Sequence, residues 1–413
     1  MIGAGASGLA AAAELTRAGK SVYCLEASGR IGGRVYTVRD PLASIPIELG
    51  AEFIHGRPRE TFDLVEAHRL PVYEHDSEAV FLHEGRVQAD EGTGEAAGRI
   101  LEKSKATARH DETFEQFLQR SRVPGAVKER AIAFIEGFNA ARKERVSTAA
   151  LIEDAKAAEE IEGDRAFRIL SGYDSLMHTL GVAVRLHTIV ERVQWKKGRV
   201  RVHTVSGLDG ARNEYTAPQA IVTVSLGVLK SGAIEFRPAP KRVLAAARKL
   251  EFGQVSRVTF RFDRIFWQDD PQLASSGFWV SREPLFPTWW TPYPVLAPLL
   301  TGWSAGPAGE RLQGKTSTEV IAAALDSLGR ILNREIPRPA AAHFHDWHAD
   351  PFHRGAYSYV PAGALDARRA LGEPVEQTLF FAGEATSTEG HGGTVHGAIA
   401  SGRRAARLAL DAG

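Results

Sequence analysis

Six residues near the amino terminus carry the clearest chemistry in the chain: Gly3-Ala4-Gly5-Ala6-Ser7-Gly8. In such a run Gly3 permits a tight bend, Gly5 lets a phosphate approach the backbone, and Gly8 allows a helix to pack closely on a strand. Strong helix formers follow from Leu9 to Leu15, so free N–H groups and the positive end of a helix dipole would face whatever the glycines admit. Pyrophosphate suits that arrangement. Glu26, 18 positions after Gly8, ends an expected strand from Ser21 to Leu25, where its carboxylate would accept hydrogen bonds from a ribose diol and repel a 2′-phosphate. A dinucleotide other than NADP is therefore expected, with Gly3, Gly5, Ser7, Gly8, Glu26 and Ala27 around it.

Three further runs set reactive side chains beside glycines. Glu26-Ala27-Ser28-Gly29-Arg30-Ile31-Gly32-Gly33-Arg34 places a glycine pair between two arginines, whose fixed charge can offset a pyrophosphate. Ile47-Glu48-Leu49-Gly50-Ala51-Glu52-Phe53-Ile54-His55-Gly56 ends on a histidine that, read alone, is more often structural than functional. Near the carboxyl end, Phe381-Ala382-Gly383-Glu384-Ala385 leads through a loop to Gly393-Thr394-Val395-His396-Gly397-Ala398. A helix expected from about Thr394 to Leu410 would turn its positive end toward a ligand seated there. Two histidine groups, His343-His345-His348 and His391-His396, lack the carboxylate-supported helical spacing of a metal site, and no metal is expected.

The elements that must hold these runs follow from pattern. Glycine turn, helix and strand in that order make a βαβ unit. From Pro58 to Ala166 the pattern becomes helical and polar-faced, with few strand signals, as in an inserted cap. Strands return at Val190 to Trp195 and Arg199 to Thr204, a hairpin about Lys196-Lys197-Gly198, and at Ala220 to Val224. Val255 to Phe262 is a further expected strand, in a stretch that also holds Trp267, Trp279, Trp289, Trp290 and Trp303; aromatics there suggest a substrate cavity. The fold class expected is α/β, a Rossmann-like nucleotide domain interleaved with a mixed α+β substrate domain. The first takes residues 1–75, 167–252 and 366–413; the second takes 76–166 and 253–365.

Composition narrows the partners. Lys+Arg at 51 against Asp+Glu at 50 leaves no field to gather nucleic acid or an anionic membrane, and no apolar run reaches the roughly 20 residues of a membrane helix. One cysteine, Cys24, supports neither an internal disulfide nor a cysteine metal cluster, and a buried thiol is expected. The amino terminus has no secretory h-region, which makes a cytoplasmic location the expectation. Only Met1 and Ile2 precede the first glycine, so residues upstream remain open. Oligomeric state is not legible.

Taken together, the runs resemble the flavin-containing amine oxidase superfamily, which includes monoamine, polyamine and L-amino-acid oxidases and the lysine-specific histone demethylases. Glu26 to Arg34 is similar to its second FAD signature, and Ile47 to Gly56 to the segment that passes the flavin ring. Leu186-His187-Thr188-Ile189-Val190 resembles the strand whose valine backbone contacts adenine. Thr223 to Lys230 resembles a cofactor-flanking turn, with Ser225 where proline is commoner. Trp347 to Tyr359 and the Phe381 to Ala398 runs match the carboxyl-terminal signature, nearest the demethylases. The resemblance covers essentially the whole chain, but it leaves no room for a demethylase's extra amino-terminal domain or helical tower, and no chromatin role is implied.

What the resemblance implies is an FAD enzyme. The cofactor residues would be Gly3, Gly5, Ser7, Gly8, Glu26, Ala27, Arg30, Gly33, Arg34, Gly50, Ala51, Glu52, Val190, Gly383, Glu384, Thr394, Val395 and Ala398, with Glu384 on the ribityl hydroxyls. FAD would be noncovalent, because Ala356 stands where covalent monoamine oxidases place a cysteine. The implied reaction is hydride transfer from a neutral amine to flavin N5, imine hydrolysis, and reoxidation by dioxygen to hydrogen peroxide. Arg257, Tyr357 and His55 are the candidate catalytic residues. Arg257 takes the slot of a lysine bound through water to N5, and it should displace that water or turn toward a carboxylate. Tyr357 supplies one wall of an aromatic cage whose second tyrosine is replaced by Thr394. The alternatives are an FAD-dependent desaturase or dehydrogenase of a non-amine substrate, and a catalytically inert flavin-binding module.

Overall fold

In the computed structural model, which describes residues 1–76, 78–89, 92–105 and 111–413, the core of the first lobe is a set of short parallel strands. Cys24–Leu25 pairs with Val184–Arg185, and Ala220–Val222 pairs with Leu379–Phe381. Ile2 joins the two pairs by bridging to Leu25 and to Val222. Cys24–Leu25, Ala220–Val222 and Leu379–Phe381 are apolar and buried, as parallel strands covered on both faces require, while Val184–Arg185 forms the exposed edge. The strand expected from Ser21 is shorter, since only Cys24 and Leu25 pair.

The first helix, Ala6–Arg17, and the last, Val395–Asp411, pack on each other. A Cβ on Gly402 would lie 2.1 Å from the Ser7 carbonyl oxygen, and the Ser7 and Ser401 hydroxyls are 3.3 Å apart. A four-stranded sheet packs beside this layer and contains the expected hairpin, Thr188–Lys196 with Arg199–Ser206. No helix among the described residues is long and apolar enough to cross a membrane.

The second lobe is built on a seven-stranded sheet in the order Ala341–Phe344, Val255–Arg261, Leu299–Ala305, Thr288–Trp290, Phe278–Ser281, Ala79–His83, Arg86–Ala89. Helix Ser317–Leu332, started by a capping box between Thr316 and Glu319, covers it. Here the structure corrects the reading of the inserted cap. Helices Phe114–Arg120, Gly125–Phe138 and Thr148–Glu159 do form there, around a small core of their own. Yet Ala79–His83 and Arg86–Ala89 form a hairpin that extends the substrate sheet, and Val72–His75 pairs with Ala166–Ile169. Each run is only four or five residues long, so period-two alternation is hard to separate from an amphipathic helix turn.

The tryptophans also divide. Trp267, Trp279 and Trp289 are core residues that fill the sheet–helix interface. All three are buried there among apolar side chains. Trp290 and Trp303 face the junction of the lobes instead, with ring centroids 5.7 Å apart.

Two small connecting sheets position the site. Ile54–His55 pairs with Ala166–Ile169, which brings His55 beside the strand that carries Arg168. Glu251–Gly253 pairs with Tyr357–Tyr359, which sets Tyr357 close to the start of the strand that carries Arg257.

Candidate active site

The glycine loop has the geometry its sequence demands. Gly3 has φ +102°, in the region that favours glycine, and a Cβ on Gly8 would lie 2.0 Å from the Gly3 carbonyl oxygen. Gly5 caps the first helix without any side-chain bond, so the first-turn N–H groups remain open donors. Gly33, at φ +60°, comes so near Gly5 that a Cβ would lie 3.1 Å from the Gly5 Cα. Gly50 is pressed on the same segment, with a Cβ position 1.9 Å from the Arg34 carbonyl, and the Ala51 N–H donates to that oxygen. A cradle open at a helix start, where two glycine runs meet, fits a dinucleotide pyrophosphate.

Glu26 is buried and ties the cradle together: Oε2 accepts from the Ala4 N–H at 2.7 Å and Oε1 from the Ser28 N–H and hydroxyl. Ala27 follows it at the strand end. Val190 presents only backbone, since its side chain lies in the core beside a β-bulge. Ala398 packs against Ala4, Ala6 and Ala10, with Val395 at the edge of that cluster. Cys24 is buried, and burial pushes its thiol up to about 11.

Several charged candidates are committed elsewhere. Arg34 donates to Glu384 at 2.9 Å and to the Ala356 carbonyl, so its charge is paired rather than free for a phosphate. Glu384 also accepts from the Ser358 N–H and hydroxyl and from the Gly393 N–H. Those bonds clamp the carboxyl-terminal loop and leave little of the carboxylate for ribityl hydroxyls. Burial raises the Glu384 carboxyl, but Arg34 and these donors outweigh it and hold it below the ordinary range. Arg30 stacks on Tyr36 with its guanidinium carbon 3.9 Å from the ring centroid and bonds the Ile31 and Val35 carbonyls.

Arg257 turns toward a carboxylate, one of the two arrangements expected. It bonds Glu52 and, at 2.8 Å, the Gly50 carbonyl. Glu52 is held on its other side by Arg168 at 2.7 Å and by the Trp290 N–H at 3.0 Å. Burial raises Glu52, yet Arg168 and Arg257 hold it below its ordinary range. Glu52 is thus an anchor for two buried cations, and both its oxygens are taken. Nearby Glu48 accepts from the Thr37 hydroxyl and the Tyr173 N–H, but burial pushes it up to about 7.

His55 and Tyr357 meet around Phe138. The His55 ring lies edge-on to Phe138 at 5.3 Å, and the Tyr357 hydroxyl donates to the Phe138 carbonyl at 2.7 Å. Phe138 is half exposed and stacks on Phe134, while Phe53 touches both His55 and Trp290. The Trp303 indole donates to Gly137 on the same helix. Burial alone lowers His55 to about 4 and raises Tyr357.

Thr394 caps the last helix: its hydroxyl accepts from the Gly397 N–H and donates to the His391 carbonyl. Gly393 abuts the Tyr357 ring, with a Cβ position 3.3 Å away. His396, in the first turn, is lowered to about 3 by burial, helped by His391 and His55. These aromatic and imidazole rings cluster between the cap helix Gly125–Phe138 and the start of the last helix.

Reading the sequence did not find Arg168, Phe138 or His396 as site residues. A lone arginine in Ala166-Phe-Arg-Ile looks like the solvent side of an alternating strand, and Phe138 ends a helix with no motif. His396 did have a signal, since it lies inside the carboxyl-terminal run.

Comparison with known proteins gives concordant findings. The family model described as flavin containing amine oxidoreductase matches residues 6–410. The chain is 30% identical to lysine-specific histone demethylase 1 homolog 3 of Arabidopsis thaliana over all of this chain but 30% of that protein. It is also 30% identical to polyamine oxidase 2 of Arabidopsis thaliana, over 98% of this chain and 86% of the other. The chain thus spans less than a third of the first relative and most of the second. Among solved structures, wild-type putrescine oxidase bound to putrescine aligns with TM-score 0.82 at 22% identity, covering 99% of this chain and 98% of that one. Cyclohexylamine oxidase from Brevibacterium oxydans IH-35A aligns with TM-score 0.81 at 22% identity and the same coverage. At that identity these two speak for the fold.

Proposed function

Because the chain belongs to the flavin containing amine oxidoreductase family, we propose that it oxidises small monoamines whose apolar body lies in the chamber of Phe53, His55, Phe138, Trp303 and Tyr357. FAD is the cofactor. Bound there, it supplies hydride acceptance from the carbon that bears the amine and onward transfer to dioxygen, so that an imine, hydrolysed by water, and hydrogen peroxide result. Residues 1–75, 167–252 and 366–413 hold it, and residues 76–166 and 253–365 form the substrate side. Attachment is noncovalent: Ala356, just before Tyr357, offers only a methyl group, and the sole thiol, Cys24, is buried in the core.

The observation that carries the reading is the cluster of rings around Phe138. Aromatic faces attract an ammonium through their quadrupoles and shed water around an apolar substituent. Burial keeps His55 uncharged near neutral pH, so it repels no ammonium and can accept a hydrogen bond from the amine. No carboxylate contributes to the shift of His55 or of Tyr357. The cluster behind Trp290 sets Arg168 and Arg257 against Glu52, with Glu48 beside them pushed up to about 7 by burial, so no surplus of negative charge is there to draw a second ammonium.

A panel of amines tests this through peroxide release and oxygen uptake. Arylalkyl and cycloalkyl monoamines are expected to exceed spermine and putrescine in kcat/KM by about tenfold or more, the value of roughly 1.4 kcal/mol of differential binding. Preference for the polyamines would overturn the substrate assignment. Flavin that no amine bleaches anaerobically would overturn the oxidase itself.

A further inference from the structure

The turn Trp347-His348-Ala349-Asp350-Pro351-Phe352-His353 holds an imidazole that neither the chamber nor the charge clusters use. His353 is buried. Its Nδ1 lies 3.0 Å from Asp350 Oδ2, at ion-pair distance though out of line for a hydrogen bond. The same carboxylate oxygen is 2.9 Å from His345 Nε2, and the Asp350 Oδ1 accepts from the Phe352 N–H. The backbone is fixed as well: the Ser225 hydroxyl donates to the His353 carbonyl at 2.6 Å, and the Trp347 ring stands edge-on at 5.0 Å. Neither ring nitrogen makes a hydrogen bond among the described residues, but Nδ1 lies against the Asp350 carboxylate, so Nε2 is the nitrogen left for a ligand.

That nitrogen faces the glycines. A Cβ on Gly33 would lie 3.9 Å from His353 Nε2 and 3.1 Å from the Gly5 Cα, so Nε2 looks onto the place where the two glycine runs meet. We propose that His353 is a cofactor-binding residue: Nε2 donates to the FAD pyrophosphate between Gly5 and Gly33, Asp350 orients the ring, and the imidazole takes a proton from solvent as the anion arrives. This rests on FAD as the cofactor of the glycine cradle.

The charges around the ring give the sign. On and beside its own turn stand His345, Asp346, His348, Asp350 and Arg354; the second glycine run contributes Glu26, Arg30 and Arg34; the Ser225-Leu226-Gly227 segment and the first glycine loop contribute none. Burial lowers His353 most, Asp350 opposes it, and Arg34 and Arg30 lower it further, so the free site holds a neutral imidazole near pH 7. A pyrophosphate carries negative charge to the same spot and favours the imidazolium. Binding then takes up a proton. Affinity for FAD should rise as pH falls from the bound-state pKa toward the free-state pKa, by at most about tenfold per pH unit, and be flat above that window.

FAD released from diluted holoenzyme can be followed by the return of free-flavin fluorescence between about pH 5.5 and 8.5, the span in which imidazoles titrate. Calorimetric reconstitution in two buffers of different ionisation enthalpy counts the protons. His353→Ala is expected to weaken FAD by about tenfold or more at the acid end, the value of a charge-assisted hydrogen bond. His353→Gln keeps a donor near Nε2 that cannot titrate, so affinity at high pH should stay within a few-fold of wild type while the pH slope and proton uptake vanish. A merely structural histidine would lower the melting temperature in either variant and leave slope and proton count unchanged, which would overturn the proposal, as would a flat wild-type profile. Wild type that binds no FAD at any pH would instead overturn the cofactor reading beneath it.

Discussion

Two buried carboxylates hold the site, and they do it differently. Glu384 faces one cation, Arg34, whose side chain is 25% exposed, and its remaining partners are neutral N–H and O–H donors. Glu52 faces two cations, Arg168 and Arg257, whose side chains are 8% and 4% exposed, plus an indole N–H. The first is a neutral clamp with access to water. The second stores positive charge in a dry place behind the aromatic wall, where an unmatched charge is costly. Glu384 therefore fixes loop geometry within the cofactor lobe, whereas Glu52 holds one cation from each lobe at their junction.

The contrast can be broken most directly at Glu52. Glu52→Gln leaves two buried guanidiniums facing a neutral amide and is expected to cost about 3–5 kcal/mol of stability in urea unfolding; a loss below about 1 kcal/mol would mean that water reaches the cluster. Next in size is Glu48, whose folded-state carboxyl is raised to about 7 by burial. Its proton is held more tightly folded than unfolded, so stability is fully present below the ordinary carboxylate range and is lost as pH rises toward about 7, by roughly 3 kcal/mol. Glu48→Gln should flatten that part of the stability–pH profile. An unchanged slope would place the titration elsewhere.

Glu384→Gln is expected to cost less, about 1–3 kcal/mol, because Arg34 keeps the Ala356 carbonyl and water. A cost equal to that of Glu52→Gln would erase the distinction between the two carboxylates. The smallest stability effect should come from Arg257→Lys, about 1 kcal/mol, since lysine can pair with Glu52 but not also reach the Gly50 carbonyl. Its kinetic effect is sharper: stopped-flow should show the oxidative half-reaction accelerating, because a compact ammonium can hold a water that a guanidinium turned to Glu52 and the Gly50 carbonyl does not, with the reductive half-reaction little changed. Equal or slower reoxidation would remove Arg257 from that role.

The unequal legibility of the two lobes has the same root. The cradle at Gly3, Gly5, Gly8 and Gly33 was readable because backbone approach and positive φ demand glycine, and few other residues meet that demand. Thr394 as a helix start was readable for a similar reason, the need of a first turn for a capping oxygen. The Glu52 cluster was not. Its partners come from Gly50, Arg168, Arg257 and Trp290, separated by long stretches of chain, and nothing local marks a buried arginine in a strand. The tryptophans misled in the opposite sense, because composition says that aromatics gather but not whether they pack on one another, as Trp267 and Trp279 do, or leave a face open. The Ala79–His83 strand belongs to the same class, since its parallel partner is Phe278–Ser281.

The contact between Ser7 and Gly402 also bears on synthesis. Within this chain the first helix is made long before the surface it packs on, and the strand Ala220–Val222 beside Ile2 likewise waits for Leu379–Phe381. The glycine loop must pass the synthesis of the intervening residues without its supporting layer, and closure of contacts so distant in sequence is slow. Partly made chains therefore expose an apolar, alanine-rich helix face in want of a partner, a state that holdase chaperones or early supply of the dinucleotide would protect from aggregation.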